Sequence, residues 1–273
     1  MTYKLICLDM DGTLLNDRKE LTERTKEAIK RTNEKGILIA LSTGRIFTSA
    51  RYYANLLGIK APIIASNGAY IREKDNEKII YKSTIDKENC QKLLEIMDKY
   101  NLKYYYNTFD TVISPKPFPK GYTYLEMNPD LPEDMKVKLY VTQDIKAEFI
   151  KKEMEILKFI CISNDLNKLN QAKEDIIRIG NFEVASSLGD NFEVMNKGIT
   201  KGSAVKALAK LYGFKMEEVI CVGDGENDLS MIEYAGLGVA MGNAPDFVRG
   251  KADYITSSNN EDGVAELLEK FFL

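Results

Sequence analysis

"LICLDMDGTLLNDR", residues 5–18, decides how the rest of the chain is read. Its apolar start has the character of a buried strand, and where that run stops the sequence places Asp9, Asp11 and Gly12. Outward from this stretch the same rhythm continues. A helix over roughly Glu20 to Lys35 is entered through "LTERT" and stopped by Gly36; strand "ILIALS" follows, then a helix through "FTSARYYANLLG" and strand "PIIAS". The last third repeats it, with a helix from about Thr200 to Tyr212, strand "VICVG", a helix over "NDLSMIEYA", strands "LGVAM" and "DYITS", and a final helix "GVAELLEKFF". Near-continuous apolar strands separated by amphipathic helices predict an α/β fold, a doubly wound parallel sheet covered on both faces.

Between about Ser83 and Phe192 the character changes. Aromatic strands such as "KYYYNT" and "KLYVTQ", the Pro-rich "SPKPFPKG" and the hairpin-like "FEVASSLGDNFEVM" predict an inserted α+β unit. The expected organisation is a core of residues 1–82 and 193–273 with an insert of residues 83–192.

Composition narrows the functions such a chain can serve. At 273 residues and 44% hydrophobic it has material for a sizeable core, and 38 basic against 41 acidic residues leave a net charge of -3. No basic field calls for nucleic acid or anionic lipid. No apolar run is long enough for a membrane span, and "MTYKLICLDMD" lacks a secretory pattern, so a cytoplasmic protein is expected. Cys7, Cys90, Cys161 and Cys221 show no metal spacing and read as buried reduced thiols. The absence of histidine removes the Ser-His-Asp and Cys-His triads together with the usual zinc sites.

Parallel sheets bind ligands beyond the C-terminal ends of their strands. Four polar signals fall there: "DMDGT", "STGR" (Ser42 to Arg45), "SNG" (Ser66 to Gly68) and "GDGEND" (Gly223 to Asp228). Two carboxylates about 5 Å apart repel by roughly 3 kcal/mol at an effective dielectric near 20, so Asp9, Asp11, Asp224 and Asp228 together call for a cation. Oxygen ligands without His or Cys suit a hard ion, and Mg²⁺ takes a few carboxylates plus water and phosphate. The backbone amides around Met10 to Thr13, the Thr43 hydroxyl and Gly44 offer donors to an anion. Taken singly, these signals have plainer readings: a DxDG alone suits a calcium loop or a helix cap, Thr43 a helix cap, and Lys201 a solvated helix-start lysine.

Taken in order, "DMDGTLL", "STGR", "NKGITKG" and "GDGENDLSMIEYAGLGVAMGNA" resemble the four motifs of the haloacid dehalogenase superfamily, and more narrowly its Cof-type phosphatases with a large α/β cap. The resemblance covers the whole core and implies the following. Asp9 is the nucleophile that becomes an aspartyl phosphate, and Asp11 protonates the leaving oxygen and then activates water. Mg²⁺ is held by Asp9, the Asp11 carbonyl and Asp224, with the Gly225 carbonyl and Asp228 helping directly or through water. The Met10 amide, Thr43, Gly44, Lys201 and Asn227 surround the phosphoryl group; Arg45 and Asn67 touch substrate or anchor their loops.

By the same resemblance the insert is a lid, and its Tyr104 to Asn107 stretch either lines the substrate cavity or simply packs. The expected function is a Mg²⁺-dependent phosphatase of small phosphorylated metabolites, sugar phosphates or phosphorylated cofactors and their precursors. A phosphomutase of the same superfamily is the alternative, and a phospho-Asp signalling module the alternative from another class. Neither nucleic acid nor membrane is an expected partner, and the oligomeric state is open.

Overall fold

Strands without polar alternation must be covered on both faces, and this requirement sets the architecture of the computed structural model, which describes residues 3–145, 147–148, 154–186 and 189–273. The first units are β1 (Leu5–Leu8), α1 (Glu23–Glu34), β2 (Leu38–Ser42), α2 (Phe47–Leu56) and β3 (Pro62–Ala65). The first helix starts later than the sequence suggests because Thr22 is its cap, its side chain accepting a hydrogen bond from the Thr25 amide. The chain then adds a hairpin the sequence reading did not contain, β4 (Tyr70–Glu73) and β5 (Ile79–Lys82), paired antiparallel. Its outer strand, "IIYK", is only four residues long and mostly exposed at the sheet edge, so it does not register as a core strand.

A second unit follows, with α3 (Lys87–Tyr100), β6 (Lys103–Asn107), β7 (Thr111–Ser114), α4 (Thr123–Met127), β8 (Lys138–Val141), β9 (Lys158–Ile162), α5 (Leu166–Ile179), β10 (Phe182–Ala185) and β11 (Asn191–Asn196). The chain returns to the first unit through α6 (Lys201–Leu211), β12 (Val219–Gly223), α7 (Leu229–Tyr234), β13 (Leu237–Ala240), α8 (Asp246–Arg249), β14 (Tyr254–Ile255) and α9 (Gly263–Phe272).

The larger sheet runs β14-β13-β12-β1-β2-β3-β4-β5. It is parallel from β14 through β3, so the expected parallel sheet is extended at one edge by the antiparallel hairpin. Ile6, Leu8, Ile39 and Leu41 pack with Ile29, Phe47 and Leu267 on one face. Leu5, Cys7 and Ala40 pack with Val205, Leu208 and Met231 on the other. Strand order reverses where β1 lies between β2 and β12, which puts a crevice beyond the ends of β1 and β12.

The smaller sheet runs β10-β11-β9-β6-β7-β8. One face packs on α3 and α5 through Leu93, Met97, Leu169 and Ile176. The expected junction at 192/193 falls inside β11, whose pairing with β10 and β9 keeps the chain in this sheet through Asn196. All four cysteines are buried and free. Among the described residues no helix is long and apolar enough to cross a membrane.

Candidate active site

Asp9 lies one residue beyond β1, its amide donating to the Val222 carbonyl of the neighbouring β12 at 2.9 Å, so the backbone ladder fixes where its carboxylate begins. Asp224 and Asp228 come from the loop beyond β12. One carboxylate oxygen from each of Asp9, Asp224 and Asp228 lies within 4.8 Å of the others. Such proximity demands small neighbours. A Cβ on Gly12, whose φ is +81°, would sit 2.3 Å from Asp224 Oδ2. Thr13 Oγ1 donates to Asp224 Oδ1 at 2.8 Å, tying the two loops together.

Lys201, the first residue of α6, is only 1% exposed. Its ammonium donates to Asp9 Oδ1 and to Asp228 Oδ1, each at 2.6 Å. Burial opposes its charge, yet Asp228 and Asp9 outweigh that and hold its proton more tightly than usual. Asp228 also accepts the Asp224 and Gly225 amides on Oδ2, both at 2.9 Å, so it organises the loop from beneath. Two carboxylates bond this one ammonium and a third, Asp224, stands beside them. Burial first, and then the Asp228 charge, push Asp9 well above the usual carboxylate range and Asp224 up to about 6. A buried site with excess negative charge and oxygen-only donors fits a hard divalent cation.

The other motif residues gather around this centre through their loops. Thr43 is bound through its amide to the Ile64 carbonyl at 2.8 Å, and its hydroxyl accepts the Arg45 amide at 3.1 Å. Asn67 sits in the left-handed region (φ 54°), which turns the chain after β3. Its Oδ1 accepts from Asn227 Nδ2 at 3.2 Å, joining the loops after β3 and β12. Met10 is fully buried, its side chain within the core and its carbonyl accepting the Leu15 amide at 2.9 Å.

Asp11 is the departure. Its carboxylate stands outside the three-acid cluster and is gripped by Arg45, with Nε to Oδ2 at 2.6 Å and Nη2 to Oδ1 at 2.7 Å, while Lys19 donates at 2.9 Å. Burial would raise its pKa, but the bonds and charge of Arg45, helped by Lys19, hold it well below the usual range. Arg45 also reaches Ser49, lies against the Tyr53 ring and touches the Met127 sulfur of the second unit. The guanidinium is therefore a clamp on Asp11 rather than a loop anchor alone.

Five contributing side chains were not singled out from sequence. Thr13 and Asn243, which donates to the Gly12 carbonyl at 2.8 Å, lay inside quoted motifs as "DGT" and "GNA", and their side-chain chemistry was the available signal. Lys19, Lys158 and Glu193 had none, because each lies outside the motifs, and the partners of Lys158 and Glu193 are distant in sequence. A cavity of about 430 Å³ lies beside the Asp224 loop, lined by Lys173, Ser186, Phe192, Asp224, Gly225 and Glu226 among others. The stretch from Tyr104 to Asn107 does not line it. Tyr104 and Tyr106 pack under the helices, and Tyr105 is on the opposite face.

A parallel sheet with an acidic crevice at its switch point, completed by a lysine from a following helix, defines a class of hydrolase. The haloacid dehalogenase-like hydrolase family model matches residues 6–268, and the chain belongs to that family. It is 32% identical over 270 residues to a 5-amino-6-(5-phospho-D-ribitylamino)uracil phosphatase of Bacillus subtilis, covering 99% of this chain and 96% of the relative. A haloacid dehalogenase-like hydrolase from B. subtilis superposes with a TM-score of 0.88 at 28% identity, over 99% of this chain and 100% of the other. A sugar phosphatase of subclass IIB superposes with a TM-score of 0.77 at 26% identity, over 98% of both chains. The protein is thus an enzyme of the phosphoric monoester hydrolase type found in this family.

Proposed function

We propose that this protein is a Mg²⁺-dependent phosphatase of small phosphorylated metabolites that works through an aspartyl phosphate on Asp9. The observation that carries the reading is the Asp9 carboxylate at the end of β1, bonded to the buried Lys201 ammonium and grouped with Asp224 and Asp228. Lys201 engages one Asp9 oxygen and so orients the other towards phosphorus. The phosphoryl group rests between Lys201, the Met10 amide, Thr43, Gly44 and Asn227, whose donors meet charge on its oxygens. Asp9, Asp224 and the Asp11 carbonyl, with Gly225 and Asp228 in support, would hold Mg²⁺, which would add to the neutralisation of that charge.

In the first step Asp9 oxygen bonds to phosphorus, the bond to the leaving oxygen breaks, and Asp11 gives that oxygen a proton. In the second, water attacks the aspartyl phosphate, Asp11 takes the water proton, and inorganic phosphate leaves with Asp9 restored. The Arg45 clamp favours the ionised form of Asp11, which is the base form. Its acid half requires the carboxylate to part from Arg45 and take up a proton before the ester is cleaved.

In this reading the second unit, from about residue 83 to Asn196, is a cap that excludes water, and the cavity beside the Asp224 loop receives the leaving group. The relatives named for a phosphorylated ribityl compound and for sugar phosphates favour a leaving group bearing hydroxyls. The test is a screen of phosphorylated metabolites for phosphate release with Mg²⁺. Sugar and polyol phosphates are expected to lead the ranking; no phosphate release from any ester would overturn the proposal.

A further inference from the structure

Lys158 on β9 is 1% exposed and Glu193 on β11 is 5% exposed, yet neither belongs to the acidic crevice. The two are ion-paired on the smaller sheet. Both reach out of that sheet towards the larger one. Lys158 Nζ donates to the Gly44 carbonyl at 2.5 Å, and the second Glu193 oxygen accepts from Asn67 Nδ2 at 2.5 Å. Asn67 in turn accepts from Asn227. The pair therefore grips two of the loops that converge on the crevice, those carrying Gly44 and Asn67, and reaches the loop of Asn227 through Asn67.

Gly44 shows how closely they meet. A Cβ there would lie 3.1 Å from Asn67 Oδ1, 3.3 Å from Glu193 Oε2 and 3.7 Å from Lys158 Nζ. Charge so deeply buried is expensive, and a sheet needing only cohesion is served as well by apolar residues. The arrangement has an electrostatic logic instead. A glutamate beside a loop that receives a phosphoryl group would repel it, and Lys158 cancels that charge while using its remaining bonds to fix the Gly44 peptide.

We infer that Lys158 and Glu193 are positioning residues: a neutral pair through which the smaller unit sets the geometry of the anion-binding loops on the larger one. The inference rests on the proposed phosphatase reading for its turnover arm, but its binding arm stands apart from turnover. Four proteins separate the possibilities: wild type, Lys158→Met, Glu193→Gln and the double variant. Circular dichroism and thermal melting establish folding, and titration calorimetry with inorganic phosphate in Mg²⁺ measures affinity.

Loss of Lys158 alone leaves a carboxylate uncompensated beside the loop and is expected to weaken phosphate binding on the order of tenfold. Loss of the Glu193 charge alone leaves an unbalanced ammonium and is expected to tighten binding severalfold. The double variant restores neutrality and should return affinity to within about threefold of wild type, while kcat for an aryl phosphate stays depressed roughly tenfold because the loops have lost their anchor. If Lys158→Met does not fold, tightening in Glu193→Gln and its reversal in the double variant still carry the test. A pair that only held the sheet together would lower melting temperature and leave phosphate affinity level across the folded variants, which overturns the inference. Opposite-sign shifts in a wild-type background that binds phosphate without turning over esters would support the pair's role and sink the phosphatase reading; normal turnover with level affinities would do the reverse.

Discussion

Lys201 and Lys158 are each 1% exposed, each held by carboxylate, and they sit in different surroundings. Lys201 faces Asp9 and Asp228 with Asp224 nearby, so its ammonium leaves negative charge over. Lys158 faces one carboxylate and one carbonyl, and the charges close. The difference separates two uses of a buried ammonium. Excess carboxylate marks a place built for something positive to arrive, whereas a balanced pair is complete in itself and can only hold its neighbours. On the proposed reading, chemistry belongs to the first centre and geometry to the second.

The largest expected effect tests the first half of that contrast. Asp9→Asn keeps the shape of the crevice but removes the proposed nucleophile, and turnover of any phosphate ester should fall by roughly 10⁴-fold or more in a protein with an unchanged circular dichroism spectrum. Covalent labelling by a phosphate donor should vanish with it. Stripping metal with a chelator should abolish turnover as completely and reversibly, with Mg²⁺ restoring it. Near-normal rates in excess chelator, with no metal retained on elemental analysis, would show that the surplus carboxylates are tolerated without a cation.

Asp11 comes next and sharpens the contrast, because it is a carboxylate of the crevice whose charge is already balanced by Arg45 and Lys19. Asp11→Asn should slow formation of the phosphoenzyme from a sugar phosphate by about 10²- to 10⁴-fold in single-turnover experiments, and much less from an aryl phosphate, whose leaving group departs without a proton. The second step loses its base with either substrate, so phosphoenzyme should accumulate with the aryl ester. Equal slowing of the first step for both esters, without accumulation, would remove Asp11 from the proton transfers.

How much of this was readable from sequence follows the same division. The crevice residues lie within short motifs at strand ends, where a few consecutive positions fix both identity and place. Asp9 and Gly12 are three residues apart, and Lys201 lies next to its own helix cap at Thr200. The balanced pair has no such local mark. Lys158 sits in "LKFICI" and Glu193 in "NFEVMN", each an ordinary strand residue until β9 and β11 are laid side by side. The Arg45 clamp was hidden for the same reason, since nothing in "STGR" says that its arginine turns to a carboxylate 34 residues earlier. The hairpin at β4 and β5 escaped because its outer strand is a short, mostly exposed edge strand.

The smallest effects lie within the smaller sheet, where strand alternation splits "KYYYN" between two faces. Tyr106 packs on the helix side and its hydroxyl donates to the Cys90 carbonyl at 3.1 Å. Tyr105 faces the other way, stacked on Phe118, and its hydroxyl is buried without a hydrogen-bond partner among the described residues. Tyr106→Phe removes a donor and leaves the Cys90 carbonyl without it, so stability should fall by about 1 kcal/mol with substrate ranking unchanged. Tyr105→Phe removes no bond and should leave stability within about 0.5 kcal/mol or raise it slightly. Denaturant melts with unchanged m-values would measure both. Kinetics then decide what the Tyr105 hydroxyl is for. Because Tyr105 does not line the cavity assigned to the leaving group, Tyr105→Phe should leave KM unchanged for a sugar phosphate and an aryl phosphate alike; a severalfold rise for the sugar phosphate alone would instead make this face of the sheet part of substrate selection.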